Sequence, residues 1–276
     1  MNQEYHELNK ENPVVRLRAF RAIDDLETCE LFVEGHTQVL TSIGVTNVTS
    51  SKHGWTENPA AFVIIVESMD GKRVYGGARV HIAGGSEPLP IEEATVSIDS
   101  KVTDVVWKYA QHGTGEICGL WNSREIAGYG IGSIFLTRAA VAISSQIGLT
   151  SLFALCAPYT VAMAESVGYY KLTTIGNGGT FYYPKMDLLA TAMLHEDIID
   201  LNSADEENRN AILNLRKSFN IVKAEILRKK SIEIHYNLEV PNLERWNLNE
   251  TIDQAKKKYL KKEWNDLGLN LFNDQS

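Results

Sequence analysis

Cysteine is scarce in this chain, basic residues are outnumbered, and long apolar runs are missing; each shortage removes a class of protein. The three cysteines, Cys29, Cys118 and Cys156, are far apart and form no C-x-x-C pair, so neither a disulfide framework nor a zinc cluster is expected. The simplest reading is reduced thiols in a cytoplasmic protein. Lys and Arg number 27 against 35 Asp and Glu, a net charge of −8. That balance argues against nucleic acid as a partner, while leaving room for a local basic patch around an anionic cofactor. No segment approaches ~18 unbroken apolar residues, so no membrane span and no membrane partner are expected. Met1 to Asn12 is polar, without the apolar core of a signal peptide. The seven histidines show no ligand-like spacing, and no metal is expected.

What is there is ordinary globular material, 44% hydrophobic over 276 residues, enough for one large domain or a domain with an appendage. Val14 to Phe20 alternates as a strand, and Ala22 to Leu40 carries apolar residues at helical spacing behind Asp24 and Asp25. Ala61 to Glu67 and Arg73 to Ile82 flank the Asp70-Gly71 turn and predict a hairpin. Ala83 to Asp99, with two glycines and two prolines, reads as a long surface loop ending in a short helical stretch. Val102 to Tyr109 predicts a helix, Gly115 to Trp121 a strand, Ile131 to Ile147 a long helix, Ser151 to Leu155 a short buried strand and Val161 to Val167 a second helix. Tyr169 to Ile175 and Asp187 to Leu194 read as two closing strands. After that the character changes. A helix from Ser203 to about Phe219, a hairpin of Ile221–Leu227 with Ile232–Val240, and a charged helix from Thr251 to Leu267 form a structured extension. The expected division is 1–194 for the main domain and 195–276 for this appendage, which is a candidate surface for a protein partner or a homodimer.

The most informative stretch runs from Glu116 to Gly132. An apolar strand enters a turn with Gly128, Gly130 and Gly132 at every second position, and an apolar helix follows. Glycines let the backbone approach a ligand and take positive φ, and the helix start behind them points unpaired N–H groups into the turn. Such a site suits a phosphate or pyrophosphate. A purely structural turn, with glycines for close helix–strand packing, is the competing reading. A Rossmann site fits poorly: Ser133 holds the place of the third glycine, and Ser151 to Leu155 leads into Cys156 and Pro158 instead of ending in an acid.

The order strand, helix, hairpin, strand, glycine turn, helix, strand, helix, two strands resembles the GNAT superfamily of acyl-CoA N-acyltransferases over roughly Val14 to Leu194. The turn Ala127-Gly128-Tyr129-Gly130-Ile131-Gly132 matches the family's Arg/Gln-x-x-Gly-x-Gly/Ala motif, except that Ala127 stands where a basic residue or glutamine is usual; Arg124 lies three residues earlier. Glu165-Ser166-Val167-Gly168-Tyr169 is similar to the family's later helix ending in Gly-Phe. Glu116-Ile117-Cys118-Gly119-Leu120 is also similar to the Glu-x-Ser-Arg strand of acyl-homoserine-lactone synthases and N-acyl amino acid synthases, with Cys118 at the Ser and Gly119 at the Arg. The resemblance implies an α/β (α+β) fold: a mixed, mostly antiparallel central sheet flanked by helices, here with a C-terminal helix–hairpin–helix extension.

It also implies chemistry. Acyl transfer to an amine needs a polarised thioester carbonyl, a deprotonated amine and a protonated leaving thiolate. Backbone donors would come from Cys118 to Trp121, so Leu120 and Trp121 enter the expected cofactor site. Arg124, Ala127, Gly128, Tyr129, Gly130, Ile131, Gly132 and Ser133 complete it. Glu116 is the candidate general base, its pKa raised by apolar surroundings; the alternative is a strand-start carboxylate that is solvated or paired with an arginine. The family's usual tyrosine acid falls on Ala164, which leaves Tyr159 as the candidate acid or, alternatively, as an aromatic cap on the strand. Trp107 and Trp121 are candidates for an acyl or acceptor pocket or for the core, and His112 for a base acting through water or for a loop residue. Thr41 to Asn58 and Ala83 to Asp99 are the expected acceptor loops. The expected function is transfer of an acyl group from acyl-CoA, as co-substrate, to a primary amine on a small molecule by direct attack in a ternary complex. The alternative is a non-catalytic module that binds acyl-CoA or a protein partner.

Overall fold

In the computed structural model, which describes residues 13–45, 53–184 and 187–266, one ten-stranded sheet runs through the molecule in the order β6-β8-β5-β4-β3-β2-β1-β10-β9, with β7 paired to β8. The strands are β1 (Val14–Arg21), β2 (Ala61–Glu67), β3 (Val74–Ile82), β4 (Thr114–Asn122), β5 (Ser151–Cys156), β6 (Tyr170–Lys171), β7 (Thr180–Tyr182), β8 (Leu189–His195), β9 (Asn220–Leu227) and β10 (Lys230–Asn237). Neighbours are antiparallel except at the β1–β10 and β4–β5 joins, which are parallel. The expected mixed, mostly antiparallel sheet is therefore present.

Helices cover both faces. Helix α4 (Leu136–Ile147) and α6 (Glu206–Lys217) bury one face, where Leu136, Ala140 and Ile143 meet Ile64, Val80 and Ile117. The other face carries α1 (Leu26–Ser42), whose Phe32 packs with Phe20, Val63, Trp55 and Trp121. Towards β5 and β8 that face is closed by α2 (Pro90–Thr95) and α3 (Lys101–Ala110). There Leu89, Ile91, Val102 and Val106 cluster with Phe153 and Leu194. Helix α5 is Val161–Ser166, and α7 (Leu248–Asp266) lies on α3, stacking Tyr259 on Trp107 at 4.8 Å between ring centroids.

The strands that follow β8 are built into the same sheet. β10 runs beside β1 with Val15 opposite Ile234 and Leu17 opposite Tyr236, and Ile232, Ile234 and Tyr236 are buried. Arg138 of α4 donates to Asn208 Oδ1 at 2.7 Å and to Glu207 Oε1 at 2.8 Å in α6. The Trp246 indole N–H donates to Ile147 O at 3.0 Å.

Local departures from the expected elements have local causes. Helix α1 starts at Leu26 because Asp25 caps it, accepting from Thr28 N at 3.1 Å and holding Arg18 Nη1 at 2.8 Å; Ala22–Asp24 forms a 3-10 turn instead. The segment after β3 is less of a surface loop than its composition implies, since Leu89, Pro90, Ile91, Ala94 and Thr95 are buried. The closing strands are shorter and more numerous, with β7 inserted after the turn at Gly176 to Gly179. The end expected for α7 at Leu267 lies outside the described residues. Among them, no helix is long and apolar enough to cross a membrane.

Candidate active site

The site begins where two parallel strands part. β4 and β5 pair only at Thr114 with Ser151, Gly115 with Leu152 and Glu116 with Phe153, while β4 continues to Asn122 and β5 to Cys156. Alternate N–H groups of a strand face opposite neighbours, so beyond Glu116 part of the β4 backbone faces the gap. Beyond the parting, β4 carries a bulge against β3. Gly77 pairs with Trp121 and Arg79 with Cys118, so Ala78 alone opposes Gly119 and Leu120. Gly119 takes φ 59, and a Cβ there would lie 3.0 Å from Arg79 Nε. Glycine in place of the resembled arginine is thus required by backbone and neighbour alike. The two-for-one count also turns Cys118 and Trp121 to the same face.

That face is polar and buried. Glu116 is 1% exposed, and its Oε2 accepts from the Ile91 amide at 2.7 Å. Burial pushes its carboxyl up to about 8, against the Ile91 N–H bond and Arg79, which favour its charge. His81 stands opposite it across the strand pair. That ring is 4% exposed with neither nitrogen hydrogen-bonded among the described residues; burial, aided by Arg79, holds it neutral. The Arg79 guanidinium lies 4.3 Å from the Trp55 ring and 5.7 Å from Phe32. His36, tilted over Trp121, is pushed down to about 4 by burial and by Arg79. On the far side Tyr169, buried with its hydroxyl unbonded among the described residues, sits against His195 at 5.3 Å between ring centroids.

The three thiols are buried. Burial raises Cys118 and Cys29 to about 12 and Cys156 to about 11, which favours the protonated, less nucleophilic form.

The glycine turn lies beyond the end of β4. Gly128 and Gly130 take φ 85 and 81, and the helix opens with a wide π turn, Ile131–Phe135, before α4 proper. The Ser133 and Phe135 amides donate to Gly130 O at 3.2 and 3.1 Å, Ala127 N to Arg124 O and Tyr129 N to Ile126 O. The amides of Gly128, Gly130, Ile131 and Gly132 take no part in those bonds. Packing makes its own demand for glycine. A Cβ on Gly132 would fall 1.9 Å from Asn122 Cβ, and one on Gly130 2.6 Å from Leu227 Cδ2. The close-packing reading holds at Gly132, whether or not the turn also holds an anion.

The other expected residues scatter. Arg124 and Ala127 are exposed, Tyr129 is half-buried beneath Lys230, and the Ser133 hydroxyl donates to Gly130 O at 3.3 Å. Leu120 is half-buried on β4, whereas the Trp121 side chain packs on Phe32 and its backbone is paired with Gly77 of β3. Tyr159 is 82% exposed, on the turn that follows the parted end of β5. His112 is exposed. Trp107 is not with Trp121; it lines a separate cavity of ≈ 550 Å³ with Val106, Ala255, Tyr259 and Glu92, between α2, α3 and α7. Of the expected acceptor loops, Trp55 and the start of α2 reach the Arg79–Glu116 face, and residues 46–52 lie outside the described part. Among the described residues no group of His, Cys, Asp or Glu is placed to hold a metal. Arg79 and His81 escaped the sequence reading. Two polar residues alternating with Val80 and Ile82 inside an apolar hairpin strand were the available signal.

No protein-family model and no curated protein matches this chain. Among solved structures it is similar to FeeM, an N-acyl amino acid synthase from uncultured soil microbes. That match has 15% identity and TM-score 0.50, and covers 71% of this chain and 97% of that one. It is also similar to BjaI, a CoA-dependent acyl-homoserine lactone synthase, at 11% identity and TM-score 0.48, over 88% of this chain and 99% of that one. An acyl-CoA N-acyltransferase from Pseudomonas aeruginosa matches at 12% identity and TM-score 0.44, over 66% and 99%. The fold is GNAT-like.

Proposed function

We propose that the chain is an acyltransferase that moves an acyl group from acyl-CoA to a primary amine by direct attack within a ternary complex. The observation that carries this reading is the gap between β4 and β5 opening directly after Glu116, a buried carboxyl that titrates at about 8. A group titrating near neutrality suits general-base work. Preorganised amides at the edge of a gap suit a developing oxyanion. The fold shared with FeeM, itself an N-acyl amino acid synthase, is consistent with it.

In this reading the thioester carbonyl lies against β4 amides between Cys118 and Trp121, and the diphosphate against the Ala127–Gly132 turn. Ionised Glu116 takes a proton from the amine through water, the nitrogen attacks the carbonyl carbon, and the C–N bond forms as the C–S bond breaks. The leaving thiolate is protonated by Tyr159, at the end of β5. Residues 1–194 carry this chemistry and 195–276 form an extension.

Calorimetric titration with acetyl-CoA and desulfo-CoA, paired with a thiol-release assay over an amine panel, tests the proposal. Binding with amine-dependent thiol release supports it. Binding without turnover on any amine would leave a non-catalytic module, and no binding would sink both.

A further inference from the structure

The glycine turn and the C-terminal hairpin meet. A Cβ on Gly128 would lie 3.2 Å from Lys230 Nζ, beside the contact of Gly130 with Leu227. Lys230 and Leu227 are directly opposite each other across β9 and β10, so both side chains leave the hairpin on the face that covers the turn. Lys230 Nζ also stands 4.7 Å from the centre of the Tyr129 ring, a cation–π contact that holds the ammonium over the turn. The strand behind it is fixed by its pairing to β1 and by the burial of Ile232 and Ile234.

The tip of the hairpin breaks a local rule. Arg228 and Lys229 take φ 49 and 69, left-handed conformations for which tight hairpins favour Asn-Gly. Two cations in their place put positive charge at the tip against conformational preference, and such departures cluster where function demands them. The nearby acids are engaged elsewhere: Glu125 pairs with Arg73 at 3.4 Å, and Glu225 accepts from the Tyr236 hydroxyl at 3.1 Å. The turn itself brings no cation at Ala127.

We propose that Lys230, delivered by the C-terminal hairpin, supplies the positive charge that pairs with the diphosphate of acyl-CoA at the Ala127–Gly132 turn. This rests on the acyl-CoA reading above and makes the extension part of the cofactor site. An ammonium is a point charge without the planar fork of a guanidinium, so it can serve a phosphate oxygen already oriented by backbone amides. The contact is charge-assisted and screened by salt.

The test is calorimetric titration of the full chain and of Lys230→Gln and Lys230→Arg with CoA and with 3′-dephospho-CoA, at low and at moderate salt. Lys230 is exposed, and thermal melts of the variants should match the unaltered protein. Lys230→Gln should weaken Kd about tenfold, or about 1.4 kcal/mol, equally for both ligands and less at moderate salt, and Lys230→Arg should restore most of it. Unchanged affinity in Lys230→Gln, or a loss confined to CoA with its 3′-phosphate, overturns the assignment to the diphosphate while the acyl-CoA reading stands. Failure of the unaltered protein to bind either ligand overturns both.

Discussion

Replacing Glu116 by glutamine keeps the shape of the side chain and an oxygen for the Ile91 amide, and removes one titration. In the native protein the carboxyl titrates at about 8 against an ordinary 4.5, because burial penalises its charge more than the Ile91 N–H and Arg79 favour it. The folded value lies above the unfolded one, so the native state keeps a proton that the unfolded chain has released. That stabilisation is complete below pH 4.5 and is lost as the pH rises through 8. Each pH unit in the window costs the native protein about 1.4 kcal/mol, and the whole window on the order of 5 kcal/mol. Urea unfolding of both proteins from about pH 5 to about pH 9 should show the glutamine variant gaining on the parent by roughly 3 to 5 kcal/mol. His36 and His195, both pushed down to about 4 chiefly by burial, destabilise the native state as the pH falls below 6.5, but they are common to both proteins and cancel in the difference. Parallel stability profiles would show that the native carboxyl is already charged, and would remove the reason for giving it the base's role. In the proposed reaction the same variant should lose rate without losing CoA affinity.

Gly128→Asp should abolish CoA binding in calorimetry by placing a carboxylate beside Lys230 and over the turn. Gly128→Asn, which tolerates positive φ, should keep it within about threefold; equal losses would show that bulk matters and charge does not. None of the three cysteines should react with Ellman's reagent in the native protein at pH 8, and all three should react in denaturant; a fast native phase would contradict the burial that raises their pKa values. A Cβ on Gly35 would fall 2.2 Å from Trp121 Cη2, so Gly35→Ala should destabilise by about 1–3 kcal/mol in urea unfolding, and an unchanged midpoint would mean that α1 moves freely on the aromatic cluster.

The parts of this protein that can be read from its sequence are those governed by neighbours in the chain. The Val14–Phe20 alternation, the hairpin around Asp70-Gly71 and the strand patterns of Ile221–Leu227 and Ile232–Val240 describe local backbone preference, and the strands they predict are present, the last ending at Asn237. Glu116 could be singled out because an acid among apolar residues is visible without coordinates. What raises its pKa towards 8 is burial, and that is not visible: the helix that reaches it, through the Ile91 amide, has a composition that reads as loop. The bulge at Gly119 exists only in the register of β3 against β4, and the meeting of Lys230 with Gly128 depends on β10 lying beside β1. Neither pairing leaves a mark at the residues concerned.

The glycines of the Ala127–Gly132 turn show why residue type alone left their role open. Gly132 is required by Asn122, and Gly130, at positive φ, lies against Leu227, contacts that hold α4 and the hairpin close to the end of β4. The amides of Gly128, Gly130, Ile131 and Gly132 nonetheless take no part in the hydrogen bonds of the turn. Close packing and anion binding are therefore not rivals here. The packing fixes the turn at positive φ before any ligand arrives, so a bound diphosphate would not have to meet the cost of ordering the backbone. Gly128 separates the two roles. It is exposed, and a side chain there would meet Lys230 alone. A substitution at Gly128 therefore reads out charge at the turn with little disturbance of the core.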